Sequence, residues 1–172
     1  MIRIDHLGST LEVLPVSEKD LSQVLDVYRQ CEDFLSLGPV ATASLQMVIT
    51  DIESAKNDHA NYCSIHAGQQ GMIGVVEYST GGYLGHPEYA CLELLMISKS
   101  FRAQGIGHAV VKAVEEEILK ENPQVLIIFS GVQVNNPNAI RFWQKNGYVI
   151  TSGPKEMPDQ TTVYDLQKRI FY

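Results

Sequence analysis

Apolar and polar positions alternate from the start of the chain. "TLEVLPV" (10–16) has the period of two of a half-buried strand, and "MIRID" (1–5) fits as its hairpin partner across Gly8-Ser9. The period then changes. In "SEKDLSQVLDVYRQC" (17–31), Leu21, Val24, Leu25 and Tyr28 fall on one helical face behind a Ser17 cap. After a Gly38-Pro39 break, "ATASLQMVITDIESA" (41–55) predicts a second helix. Three short apolar or alternating runs follow, separated by Gly, Asn and Pro: "NYCSIHA" (61–67), "MIGVVEYS" (72–79) and "YACLELLMIS" (89–98). They predict consecutive antiparallel strands. From Gly105 to Glu121, Ile106, Ala109, Val110, Ala113, Val114 and Ile118 make one apolar stripe, so a helix returns. "QVLIIFSGVQV" (124–134) predicts a buried strand. "NPNAIRFWQKNG" (136–147) predicts a short helix with Asn136 as cap, Pro137 at its first position and Gly147 at its exit. "YVITSG" and "TTVYDLQKRI" close the chain as two strands. The layout is α+β, a mixed arrangement around one sheet.

No repeat, low-complexity tract or linker divides the 172 residues, which predicts a single domain over 1–172. A formal charge of −7 argues against nonspecific nucleic-acid binding, which needs a basic face. Cys31, Cys63 and Cys91 are odd in number and far apart. They predict neither a disulfide framework nor a metal site, and fit a reducing cytoplasm. The first residues lack the basic-then-apolar layout of a secretory leader, and no apolar run approaches the ~20 residues that span a bilayer. A cytoplasmic protein without a membrane partner is expected.

The chemistry is concentrated in "SFRAQGIGHAV" (100–110). A strand that enters a glycine-rich turn and opens a helix presents unpaired N–H groups and the positive end of the helix dipole, which together hold anions. Gln104, Gly105, Ile106, Gly107 and His108 can turn successive N–H groups toward a diphosphate, with Arg102 adding charge at the entrance. No Gly-Lys-Ser/Thr follows, so this is not a Walker loop, and Val110 stands where a dinucleotide fingerprint needs its third glycine. Taken alone, the loop also fits a tight turn and close helix crossing. His108 can donate to phosphate or lie solvated on the helix.

In context, "LELLMISKSFRAQGIGHAVVKAVEEEI" resembles the acetyl-CoA-binding motif of the Gcn5-related N-acetyltransferase (GNAT) family. "NNPNAIRFWQKNGY" resembles the family's second fingerprint, Asn-x-x-Ala followed by aromatic, basic and Gly-Phe/Tyr positions. The order of elements also matches, so the resemblance covers nearly the whole chain. It implies one central, mostly antiparallel, splayed sheet of about six to seven strands flanked by about four helices. It implies acetyl-CoA as co-substrate, no metal, and a small-molecule or peptide amine as acceptor, and it leaves room for a homodimer. It assigns the pantetheine arm to Leu95, Met96, Ile97 and Ser98, with the Ile97 N–H as donor to the thioester oxygen. The diphosphate falls to Ala103 through His108. Asn136, with its capping role, Ala139 and Trp143 complete the cofactor side.

An ammonium must lose a proton before it attacks a thioester, so a carboxylate near the acetyl group is expected as base. Glu93, four residues before Ile97, shares its face if the strand is regular; Glu77 on the preceding strand is second choice. The 32–45 segment and the Tyr78–Tyr89 connection are the expected acceptor walls. Many members of the family carry an acidic tyrosine where this chain has Trp143, and an indole N–H cannot protonate a departing thiolate. A valine at position 107 is expected to block the diphosphate while the fold survives. The expected activity is acetyl transfer from acetyl-CoA directly to a primary amine. The alternatives are an acyl-CoA-sensing module without turnover and an unrelated nucleotide-binding domain.

Overall fold

The computed structural model describes residues 1–170. Its frame is one eight-stranded sheet in the order β1-β2-β3-β4-β5-β6-β8-β7. The strands are β1 (Ile2–His6), β2 (Ser9–Pro15), β3 (Asn61–Ala67), β4 (Met72–Ser79), β5 (Tyr89–Ile97), β6 (Ile127–Gln133), β7 (Val149–Glu156) and β8 (Thr162–Arg169). Every pairing is antiparallel except β5 with β6. The helices are α1 (Leu21–Gln30), α2 (Glu32–Leu35), α3 (Leu45–Asn57), α4 (Ile106–Glu121) and α5 (Pro137–Lys145). The sheet is thus slightly larger than the six to seven strands expected, because the hairpins at both ends pair in full. The fifth helix is the single turn α2.

The sheet buries both faces, as strand alternation requires. Val76, Tyr78, Leu92 and Ile128 pack with Val110, Val114 and Ile118 of α4 and with Trp143 of α5. On the other face Val75, Tyr62 and Met96 pack with Val24, Val27 and Tyr28 of α1 and Val48 and Ile52 of α3. Among the described residues, no helix is long and apolar enough to cross a membrane.

Two local expectations shift. Ser17 caps not α1 itself but a 3-10 turn that precedes it, and its N–H and hydroxyl both donate to the Asp20 carboxylate, at 2.8 and 2.7 Å. The first hairpin turns one residue earlier than expected, at Leu7-Gly8, with His6 paired to Ser9. Burial decides that register. Ile4, Leu11 and Val13 enter the core, so Leu7 is forced into the turn with φ 47° beside Gly8 at φ 80°. Two successive positive φ values mark a two-residue turn that suits Asn, Asp or Gly and strains a leucine. Leu7 is 86% exposed, so its side chain contributes little packing. Leu7→Asn is therefore expected to stabilise the fold by about 0.5–1 kcal/mol, read as a higher midpoint in urea unfolding with unchanged slope.

Candidate active site

β5 and β6 pair over only three residues, Tyr89–Cys91 with Ile127–Phe129, and then part. Beyond that point the Ser130 hydroxyl donates to the Leu92 carbonyl at 2.8 Å, capping the last group before the gap. On its other side β5 stays paired with β4, and the Ser98 N–H continues that ladder to the Ile73 carbonyl at 2.8 Å. Antiparallel pairing alternates along a strand, so Met96 bonds toward β4 as Ser98 does, while Leu95 and Ile97 turn their backbone groups into the gap. The Ile97 carbonyl accepts from Arg102 Nε there, at 2.7 Å.

This gap is the floor of a groove of about 1000 Å³. Leu95, Met96 and Ile97 line it from β5. Arg102, Ala103, Gly105, Gly107 and His108 line it from the loop and α4, and Asn136, Ala139 and Trp143 from α5. Three other candidates lie differently. Ser98 is buried and its hydroxyl has no partner among the described residues. Ile106 is core, and Gln104 turns its amide to the Ser100 carbonyl.

The loop takes two left-handed residues, Ala103 at φ 60° and Gly105 at φ 78°, before α4 begins. This is the shape that turns successive N–H groups to one side. His6 holds it from β1: its Nε2 donates to the Gln104 carbonyl at 2.7 Å. Sequence reading assigns His6 no role, because only the fold brings it to a loop 98 residues away. Arg102 is less available than expected. Its guanidinium makes a paired contact with Asp33 at 2.5 and 3.1 Å, and that pairing holds the Asp33 carboxyl below its ordinary range. Arg102 therefore ties the loop to the segment after α1.

Gly107 has a second duty. A Cβ there would meet Phe142 at 3.1 Å, so valine would disturb the α4–α5 contact as well as the cradle. The Asn146 amide donates to the Phe142 carbonyl, which turns its oxygen toward His108; His108 Nδ1 then donates to that oxygen at 2.7 Å. Asn136 Oδ1 accepts from the Ala139 N–H at 3.0 Å, the capping bond, and its Nδ2 is turned away from that bond. Trp143 is buried, edge-on to Phe142 and to Tyr148. No tyrosine is found among the described residues that line the groove.

A second cavity of about 580 Å³ lies on the α1/α3 face. Asp51, Ser54 and Asp58 line it from α3, Glu77 and Ser79 from β4, Tyr83 and Leu84 from the β4–β5 connection, and Glu93 from β5. Of the two segments expected as acceptor walls, 78–89 lines this second cavity, whereas Asp33, Phe34 and Leu37 of 32–45 line the first groove and α3 stands beside the second cavity. Glu93 lines both. The β4–β5 register shifts between Glu77 and Tyr78, which face Leu94 and Leu92. Glu93 is the extra residue of this bulge, so it leaves the regular alternation that would have set it on the face of Ile97. Glu77 faces Leu94 instead, half-buried inside the acidic cavity.

Burial pushes the Glu77 carboxyl up to about 7, with the charges of Glu93, Asp51 and Asp58 adding to the effect. Its folded pKa thus lies above its ordinary 4.5. The stability tied to its proton is complete below that value and is lost as pH rises through about 7. Glu77→Gln, which mimics the protonated form, is expected to raise Tm at pH near 8 and to change it little near pH 4, in paired thermal melts across that range.

Comparison with known proteins agrees with this geometry. The sequence profile of the Acetyltransferase (GNAT) family matches residues 24–148. An acetyltransferase from Thermus thermophilus superposes with a TM-score of 0.76 over 98% of this chain and 100% of its own, at 20% identity. RimL, a ribosomal L7/L12 alpha-N-protein acetyltransferase solved with coenzyme A, gives 0.76 over 98% of both chains at 14% identity. A spermidine N-acetyltransferase from Vibrio cholerae, solved with CoA and spermine, gives 0.70 over 92% of this chain and 95% of its own at 14% identity. At such identities the likeness is one of fold. No curated protein matches the chain in sequence. The matched profile spans most of the chain, both cofactor motifs included, and the chain belongs to the GNAT acetyltransferase family.

Proposed function

We propose that the protein transfers an acetyl group from acetyl-CoA directly to a primary amine of a small molecule or peptide. The observation that carries this reading is the meeting of two cavities at Glu93, one walled by a splayed strand and an anion cradle, the other by carboxylates. The groove fits coenzyme A by its chemistry. A pantetheine arm can take the backbone groups of Leu95 and Ile97 that β6 leaves free, and the N–H groups from Ala103 to His108 can take the diphosphate. Acetyl-CoA supplies an activated thioester.

The chain's own groups then divide the work. The Ile97 N–H donates to the thioester oxygen as negative charge grows there. The carboxylate pair Glu77 and Glu93 takes the proton that the attacking nitrogen gives up, directly or through water. A carboxyl near 7 suits that role at neutral pH, since about half of it is ionised and it is still basic enough to accept. The C–N bond forms, the C–S bond breaks, and the thiolate leaves. Thiols ionise near pH 8.5, about as easily as a fair leaving group requires, so no side-chain acid is needed. Trp143 packs the arm.

Amine-dependent release of free CoA across a panel of polyamines, aminoglycosides, amino acids and peptides tests the reading. Acetyl-CoA should also raise Tm by mass action where ATP and NAD do not. A chain that binds acetyl-CoA yet releases no CoA with any amine would be a sensor.

Two predictions follow the division of roles. The rate should rise with pH through about 7, because the base works ionised. Glu77→Gln should abolish that limb. Glu93→Gln should move it to lower pH, since it removes a negative charge that holds the Glu77 proton, and should lower kcat. A limb that persists unchanged in both variants would place the base elsewhere. Trp143→Phe should weaken acetyl-CoA binding but keep most of kcat. A loss of about a hundredfold at saturation, the size of a missing acid, would overturn the acid-free scheme.

A further inference from the structure

The second cavity holds more negative charge than one amine needs. Asp51, Asp58, Glu77 and Glu93 all line it, and no Lys, Arg or His is among its described lining residues. A metal ion does not account for them: among the described residues, no group of His, Cys, Asp or Glu is placed to hold one. Asp51 stands in the middle of α3 and Asp58 directly after its last residue, and both line the cavity together with Glu77 and Glu93 of the sheet.

Asp51 is also held from behind. The Tyr28 hydroxyl donates to its Oδ2 at 2.6 Å, and Tyr62 lies 2.7 Å from the same hydroxyl. Tyr28 can donate only one proton, so Tyr62 donates to Tyr28 and the chain runs Tyr62, Tyr28, Asp51. Both phenols are buried, and burial raises them far out of the range in which they ionise. They are therefore neutral donors; the Tyr28 bond favours the Asp51 carboxylate against the burial that raises its pKa, and it brings no positive charge to it. Unpaired, such a charge is costly where water is scarce, and a cation from outside the chain offsets it.

We infer that the acceptor carries a second ammonium group, and that Asp51, set by Tyr28 and Tyr62, is the residue that reads it. This rests on the amine-acetylating reading above and specifies its substrate class: an α,ω-diamine or longer polyamine. One nitrogen stands at the Glu77/Glu93 end to be acetylated. The other stands at the Asp51/Asp58 end, which selects for chain length. Tyr28 is a positioning residue, because it acts through Asp51.

Butylamine and the α,ω-diamines from ethylenediamine to hexanediamine test the inference, with CoA release as readout. Wild-type enzyme should prefer diamines over butylamine by about tenfold or more in kcat/KM, with an optimum chain length, the gain lying mainly in KM. Asp51→Asn should reduce that preference by about tenfold, and Tyr28→Phe by less. Equal use of butylamine and the diamines by wild type would overturn the inference while leaving amine acetylation intact. So would an unaltered ratio in Asp51→Asn whose acetyl-CoA affinity shows it folded. If no amine releases CoA, acetylation fails instead. Calorimetric titration of butanediamine into wild type and Asp51→Asn then decides the binding claim, with weaker binding by the variant expected and equal or absent binding overturning it.

Discussion

A buried backbone cannot leave its N–H and C=O groups unpaired, and the parting of β5 from β6 creates a row of such groups in the middle of the sheet. Most of the site answers that constraint. The Ser130 hydroxyl takes the Leu92 carbonyl where pairing stops, and Arg102 takes the Ile97 carbonyl at the far end. Between them Leu95 and the Ile97 N–H turn backbone groups to the groove without a strand partner on that side. A sheet that parts without coming undone needs support on both faces. The two cores supply it, with α4 and α5 behind the gap and α1 and α3 in front.

Charge is arranged around this gap by element. α5 brings Arg141 and Lys145 to the groove, whereas α3, its C-terminal end and the sheet bring carboxylates to the second cavity. The bulge at Glu93 joins the two regions, since the extra residue sets one carboxylate where both spaces open. Burial then makes the neighbouring Glu77 basic enough to be useful near neutrality. In the proposed reaction, proton acceptor, amine pocket and thioester floor would meet along the β4–β5 pair.

The larger pattern was legible in sequence because it rests on local periodicity. The apolar stripe from Ile106 to Ile118 and the Asn136-Pro137 helix start need no knowledge of the fold. The glycine turn between β5 and α4 was legible for the same reason, as strand, glycines and helix adjoin in the chain. What escaped depends on contacts between distant segments. His6 reaches Gln104 from far away in the chain, Arg102 meets Asp33, and Asp51 meets Tyr28 across two helices. The facing of Glu93 stayed conditional on a regular strand, because the bulge reflects how β4 and β5 share their register, which the β5 sequence alone does not encode. Position 107 looked like a phosphate contact only, since nothing in the chain order brings Phe142 to it.

The pairing of Arg102 with Asp33 has a consequence for how the substrates arrive. With that guanidinium paired at the mouth of the loop, the turn itself is left with N–H dipoles to attract an anion, which act only at close range, beside Arg141 and Lys145 across the groove. In the proposed reaction, an anionic coenzyme farther out would meet the field of a chain whose formal charge is −7. Raising ionic strength shortens the reach of that repulsion, from about 30 Å at 0.01 M to about 8 Å at 0.15 M, and so hastens entry of the coenzyme. A cationic amine drawn by the same field is slowed under the same conditions. The two encounters respond to salt with opposite signs.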